Sequence, residues 1–124
     1  MNIHESGENY LETILVLKTR NGSVRSVDIA NELGYSKPSV SRAMSILRNE
    51  GLIRIDSGGK IELTDIGHKA AEDIYERHTR IAEFLQKTLG VDKKTALGDS
   101  CRIEHVISDE TFRLIKTWLD KHKD

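Results

Sequence analysis

Between Ser26 and Leu63 the spacing of apolar residues changes from helical to alternating, and that change constrains the fold more than any other feature of the chain. Ser26 is placed to cap a short helix through Val27, Ile29, Ala30 and Leu33, closed by Gly34, which enters a left-handed turn without steric cost. Ser36 follows at once. It is placed to cap a second helix with Pro38 in the first turn and Val40, Ala43, Ile46 and Leu47 facing inward as far as Gly51. Ile53 and Ile55 then alternate with Arg54, and beyond Ser57-Gly58-Gly59, Ile61 and Leu63 alternate with Lys60 and Glu62, the pattern of a two-stranded hairpin. Two short helices joined by a tight turn, with a hairpin directly behind them, make a winged helix-turn-helix.

Helices flank this unit on both sides. Ser6 is expected to cap a helix from Gly7 to Arg20, with Leu11, Ile14, Leu15 and Leu17 at helical spacing and a stop at Asn21-Gly22. Thr64 is expected to cap a long helix through Ile66, Ala70, Ala71, Ile74, Tyr75, Ile81, Phe84 and Leu85, ending at Gly90. Beyond it, Asp92 to Leu97 and Asp99 to Ile107 read as two short helices, and Ser108 as the cap of a last one carrying Phe112, Ile115, Trp118 and Leu119. The expected fold class is therefore mainly α: a winged helix-turn-helix with a small β-hairpin wing over residues 1–64, and an α-helical region over residues 65–124. An apolar stripe of Phe112, Ile115 and Trp118 on the last helix of so short a chain suggests a dimer interface, the alternative being that it packs on the long helix of its own chain.

Composition narrows the function classes. The chain of 124 residues carries a net charge of -1, so a DNA-binding role must rest on local charge. Between Ser36 and Lys60, Lys37, Arg42, Arg48, Arg54 and Lys60 outnumber Glu50 and Asp56 by three charges. The polar N-terminus and the absence of a long apolar run imply neither a secretory signal nor a membrane span. A single cysteine, Cys101, suits a reducing compartment, so the expected location is the cytoplasm.

A major groove about 12 Å wide admits one helix, whose N-terminal part reaches base edges. Here that part is Ser36, Lys37, Pro38, Ser39, Ser41 and Arg42. Arg42 has the bidentate geometry for a guanine edge, Ser36, Lys37 and Ser39 suit phosphates or bases, and Pro38 offers an apolar face to a thymine methyl. Arg54 and Lys60 on the wing are expected near the flanking backbone. The bland alternative is an ordinary solvated helix surface.

The most informative short segment is Cys101-Arg102-Ile103-Glu104-His105. On a helix, positions i, i+3 and i+4 share a face, so Cys101, Glu104 and His105 would bring one sulfur, one oxygen and one nitrogen donor together, a mixed set for a first-row divalent ion. His78 on the long helix, and Asn9 and Glu12 on one face of the first, are candidates to complete the shell. A buried cysteine, a surface glutamate and a capped histidine are common, so this spacing also fits ordinary packing. His4, His68 and His122 are expected to face solvent and carry no role.

Glu8-Asn9-Tyr10-Leu11-Glu12-Thr13-Ile14, Ser36-Lys37-Pro38-Ser39-Val40-Ser41, Leu63-Thr64-Asp65-Ile66-Gly67, Arg77-His78 and above all the stretch from Cys101 to Glu110 resemble the diphtheria toxin repressor family of iron- and manganese-dependent repressors. The resemblance spans nearly the whole chain. It implies a metal-activated repressor that binds a double-stranded DNA operator as a homodimer, with His78, Cys101, Glu104 and His105 as ligands and Asn9 and Glu12 reaching across from the first helix. It further implies that metal binding orders that helix and sets two reading heads at operator spacing.

The chain departs from both family patterns. Iron-type members carry a methionine where Asn9 stands, and manganese-type members an aspartate there and a glutamate in place of Cys101, so the resemblance implies Fe2+ or Mn2+ without choosing. Where an ancillary site has a glutamate and a histidine, this chain has Ala82 and Leu97, so that site is expected to be absent or rebuilt from Glu83 or Asp99. The SH3-like third domain of many relatives is not expected within this length. One rival is a winged-helix regulator answering to an organic ligand. An enzyme is not expected, because no His-Glu-x-x-His helix, nucleophile elbow or phosphate-cradling glycine loop occurs; with it goes any expected organic substrate or membrane partner.

Overall fold

In the computed structural model the chain is described over residues 5–123, with side chains over residues 7–123; His4 lies outside the described residues. Two compact units divide at residues 72 and 73, within the long helix. No described helix is long and apolar enough to cross a membrane.

The first unit opens with α1 (Glu5–Asn21), which starts earlier than expected, with Ser6 inside the helical span. Tyr10, Leu11, Ile14 and Leu17 form its buried face. In α2 (Ser26–Leu33) the start also differs: Ser26 is the first helical residue, Arg25 stands at the cap position, and the Asp28 carboxylate reaches back to accept the backbone N–H of Arg25 at 2.9 Å. Gly34, at φ 71°, ends α2 as expected.

Ser36 caps α3 (Lys37–Asn49) by accepting from the N–H of Ser39 at 3.3 Å. Val40, Met44 and Leu47 are its buried side chains, whereas Ile46, expected to face inward, is 54% exposed. The stripe spaced four and then three residues leaves the residue before Leu47 off its axis.

The wing pairs β1 (Ile53–Ile55) with β2 (Ile61–Leu63) in antiparallel register, Ile53 opposite Leu63 and Ile55 opposite Ile61. Its turn is held by Asp56, whose Oδ1 accepts from the N–H groups of Lys60 at 2.9 Å and Gly58 at 2.8 Å. The hydrogen bond from Lys60 leads in holding that carboxyl below its ordinary range. Thr64 then caps α4 (Asp65–Leu89), accepting from the N–H of Gly67 at 3.1 Å while donating to the Gly51 carbonyl at 2.7 Å. A Cβ on Gly67 would stand 1.9 Å from the Leu52 carbonyl oxygen, so only glycine lets α4 begin this close to the strand entry.

The second unit holds the rest of α4, α5 (Lys93–Ile103) and α6 (Asp109–Lys121). The two helices expected between Asp92 and Ile107 are one helix with Gly98 inside it. An interior glycine costs only about 1 kcal/mol relative to alanine. The Asp92 cap, accepting from the N–H of Thr95 at 2.7 Å, and burial of Ala96 and Ser100 on the same helix work against that cost. Ser108 caps α6 as expected.

Ile81, Ile115 and Leu119 form the core here, with Phe84, Leu85, Ile103, Ile107, Phe112 and Trp118 packed against it. Within the chain, Ile115 of the stripe packs into the cluster with Ile81 of α4, and Phe112 and Trp118 are packed against it while staying partly exposed. His68 and His122 are exposed, as expected, although His122 stacks on Trp118 at 3.9 Å.

Candidate metal centre and nucleic-acid interface

Within the second unit, His78 on α4 and the end of α5 converge on Glu104. The last α-helical residue of α5 is Ile103, but Glu104 keeps a helical backbone and donates its N–H to Ser100 at 2.9 Å, so the three-residue relation between Cys101 and Glu104 survives. His105 leaves in a tighter turn, its N–H meeting the Arg102 carbonyl at 3.4 Å. One helical face therefore does not carry all three side chains, as the spacing had suggested; the turn carries the third.

The Glu104 side chain is 0% exposed. His78 Nδ1 lies 3.3 Å from its Oε2, and His105 Nε2 lies 3.3 Å from its Oε1. Ligand atoms of His78, Cys101 and Glu104 all fall within 4.8 Å of one another, while the thiol's residue is exposed. Donors bonded to one ion at about 2.0–2.3 Å stand at most about 4.6 Å apart, so this is the span of a single coordination shell to within a few tenths of an ångström.

Whether the residues fit a cation is decided by Glu104. Neither of its buried oxygens accepts a hydrogen bond. An ionised carboxylate taken out of water costs several kcal/mol unless opposite charge reaches it. Two imidazoles offer that only when protonated; a divalent cation offers it at neutral pH and uses the imidazoles as neutral donors. The donor set of sulfur, nitrogen and oxygen suits a first-row metal.

In the first unit, Asn9 and Glu12 lie three residues apart on α1, Asn9 half-buried and Glu12 buried. A carboxylate so withdrawn from solvent is uncommon without a charged neighbour. The residues expected to rebuild an ancillary site are committed elsewhere: Glu83 has Lys87 at 3.7 Å and Arg80 at 4.0 Å, and Asp99 has Arg102 at 4.0 Å. Among the described residues they form no second grouping of ligands.

On α3 and the wing, Ser36, Lys37, Pro38, Ser39, Ser41, Arg42, Arg54 and Lys60 are all exposed. Ser36 is partly consumed by its capping role, and its hydroxyl also bonds that of Ser39 at 2.8 Å. Arg54 faces Glu62 across the hairpin at 4.0 Å.

Some neighbours escaped sequence reasoning. Arg25 forms a bridge with Lys60 and donates to the Gly58 carbonyl in the wing turn. Tyr35, in the turn before α3, is exposed and meets Tyr10 edge-on at 5.9 Å; burial, with the Tyr35 phenol second, raises the Tyr10 pKa. Arg77 donates to the Glu104 carbonyl and Ser100 to the His78 carbonyl. Only Arg77 had a signal, its place beside His78; the others depend on contacts remote in sequence.

Residues 2–58 match the pattern described as iron dependent repressor, N-terminal DNA binding domain, and residues 64–124 that described as iron dependent repressor, metal binding and dimerisation domain. An uncharacterised HTH-type transcriptional regulator of Methanocaldococcus jannaschii is 33% identical over 97% of this chain and 97% of its own length. Transcriptional regulator MntR of Escherichia coli is 35% identical over 93% of this chain and 74% of its own. Among solved structures, that of the manganese regulator SloR superposes with a TM-score of 0.80 at 27% identity, over 97% of this chain; the chain spans 55% of that protein.

Proposed function

Since the chain belongs to the iron-dependent repressor family, metal-dependent transcriptional repressors that bind operator DNA as homodimers and are not enzymes, we propose how its own residues divide the work. Residues 1–64 form the DNA-binding head and residues 65–124 the metal-binding and dimerisation region. His78, Cys101, Glu104 and His105 hold one divalent ion, ferrous or manganous, with Glu12 and Asn9 of α1 as further donors. Ser36, Lys37, Pro38, Ser39, Ser41 and Arg42 meet the major groove, and Arg54 and Lys60 the flanking backbone. The protein acts in the cytoplasm.

The observation that carries this reading is the fully buried Glu104 carboxylate set between two imidazoles, with the Cys101 thiol in reach. The ion supplies positive charge that offsets the cost of burying carboxylates. Cys101 favours iron by its softness, and Glu12 favours manganese by its oxygen. Through Glu12 and Asn9, α1 is drawn to the Cys101 segment, and the head is restricted to the arrangement that fits an operator. A ligand shifts such an equilibrium only by binding one state better, so each donor lost from that state weakens the coupling.

The test selects bound duplexes from a random pool with Mn2+ and, anaerobically, with Fe2+. The wild-type chain is expected to retain duplexes only when a metal is present, and Glu104→Ala and His105→Ala to lose that dependence while staying folded. Metal-dependent retention of unchanged strength in either variant would overturn the ligand assignment.

A further inference from the structure

We infer that Arg77 is a positioning residue for the metal centre, acting through the backbone of Glu104 and never touching the ion. A guanidinium cannot shed its proton at any relevant pH and so cannot ligate a cation. What it does here is bracket the segment that carries the donors. One Nη donates to the Glu104 carbonyl at 3.4 Å and the other to Asp109 Oδ1, while the charge lies 5.6 Å from the centre of the Phe112 ring.

Each contact falls at a chain end that needs it. The Glu104 carbonyl is among those left without a helical partner where α5 stops. Asp109 opens α6, where a negative side chain already complements the helix dipole. Both ends of the turn that holds His105 are thereby tied to one residue of α4, and the next residue of α4 is His78. A second tie runs the other way, from Ser100 Oγ to the His78 carbonyl at 2.5 Å. Arg77 and Ser100 thus lock the backbones on which His78 and Glu104 stand.

The planar fork matters. Its two nitrogens serve two partners in a fixed relation, which an ammonium on a flexible stem does not reproduce. Nor is Arg77 what holds α6 on: Glu76 pairs with Lys116 at 2.6 Å, and the cluster around Ile81 and Leu119 packs the two helices. Removing the guanidinium is therefore expected to loosen the donors' geometry while the fold persists.

This inference rests on the proposed metal site, and the experiment separates the two. Mn2+ is titrated calorimetrically into the full chain and into Arg77→Ala, Arg77→Lys and Asp109→Asn, with the unfolding midpoint of each metal-free protein recorded alongside. Arg77→Ala is expected to bind Mn2+ about 10- to 100-fold more weakly, the range for partners that orient a ligand without touching the metal. Arg77→Lys should recover part of the loss, and Asp109→Asn, which spares every proposed ligand, should show a smaller loss of the same sign. Unchanged Mn2+ affinity in Arg77→Ala, with only a lower unfolding midpoint, overturns the inference and leaves the metal site standing. If Arg77→Ala does not fold, unchanged affinity in Asp109→Asn has the same force. A wild-type chain that takes up no Mn2+ removes the site and this inference with it.

Discussion

Around α3 the residues proposed to meet DNA stand in solvent beside a cap of their own helix, whereas around Glu104 a buried carboxylate and two imidazoles largely withdrawn from water, from α4, the end of α5 and the turn behind it, stand beside the exposed Cys101. The first arrangement is stable by itself, because exposed Lys37 and Arg42 lose no hydration while they wait for a partner. The second carries a standing cost, a buried carboxylate between imidazoles, that the proposed cation would relieve. A regulator needs this asymmetry: the reading surface must persist without the signal, and the sensing site must gain from it.

Four substitutions test the contrast. The largest effect is expected from Glu104→Ala. In wild-type protein, Mn2+ at about 100 times its dissociation constant should stabilise the fold by about 2.7 kcal/mol. In the variant that gain should vanish in thermal melts, while the metal-free midpoint holds or rises because a buried charge is gone. A fall of the metal-free midpoint, with the gain intact, would make Glu104 structural and erase the contrast.

Gly67→Ala probes the head as a scaffold. Its Cβ would strike the Leu52 carbonyl, and a loss of about 2–3 kcal/mol in urea unfolding is expected, with Mn2+ affinity retained. Arg42→Ala should leave both stability and metal uptake alone and cost about 1–3 kcal/mol in binding to a selected duplex, with looser preference at one position. Uniform weakening across sequences would make Arg42 a phosphate contact.

The smallest effect concerns the wing. The Asp56 carboxyl is held below its ordinary value of 3.8, so its contribution to stability is present above that pH and fades as the pH falls through the lower folded value. Asp56→Ala should flatten the acid limb of the wild-type stability curve below about pH 4. An unchanged acid limb would show that the wing turn does not depend on this carboxylate.

Much of the fold was legible because its signals are local. Ser36, Thr64 and Ser108 cap where expected, Gly34 and Gly90 stop helices at positive φ, and the alternation from Ile53 to Leu63 pairs in the register it implies. Misreadings arose where a local signal met a competitor. Ser6 and Ser26 are capping residues by type, but α1 runs past the first and the second is the first helical residue of α2, with Arg25 at the cap position. Gly98 reads as a break until burial on both sides of it is counted.

The candidate site divides the same way. Cys101, Glu104, His105 and His78 could be picked out by residue type and spacing, but the turn that delivers His105 and the guanidinium that braces it could not.

By itself, then, the order of residues determined the elements, their caps and the chemical identity of the donors, since these follow from hydrogen bonds and side-chain periods within a few residues. Only the tertiary structure decided that Ile115 packs into the cluster with Ile81 of α4, that Gly67 admits no side chain, and that Glu104 lies beyond the reach of water. Burial and close approach are properties of segments far apart in the chain, and no local pattern encodes the distance between them.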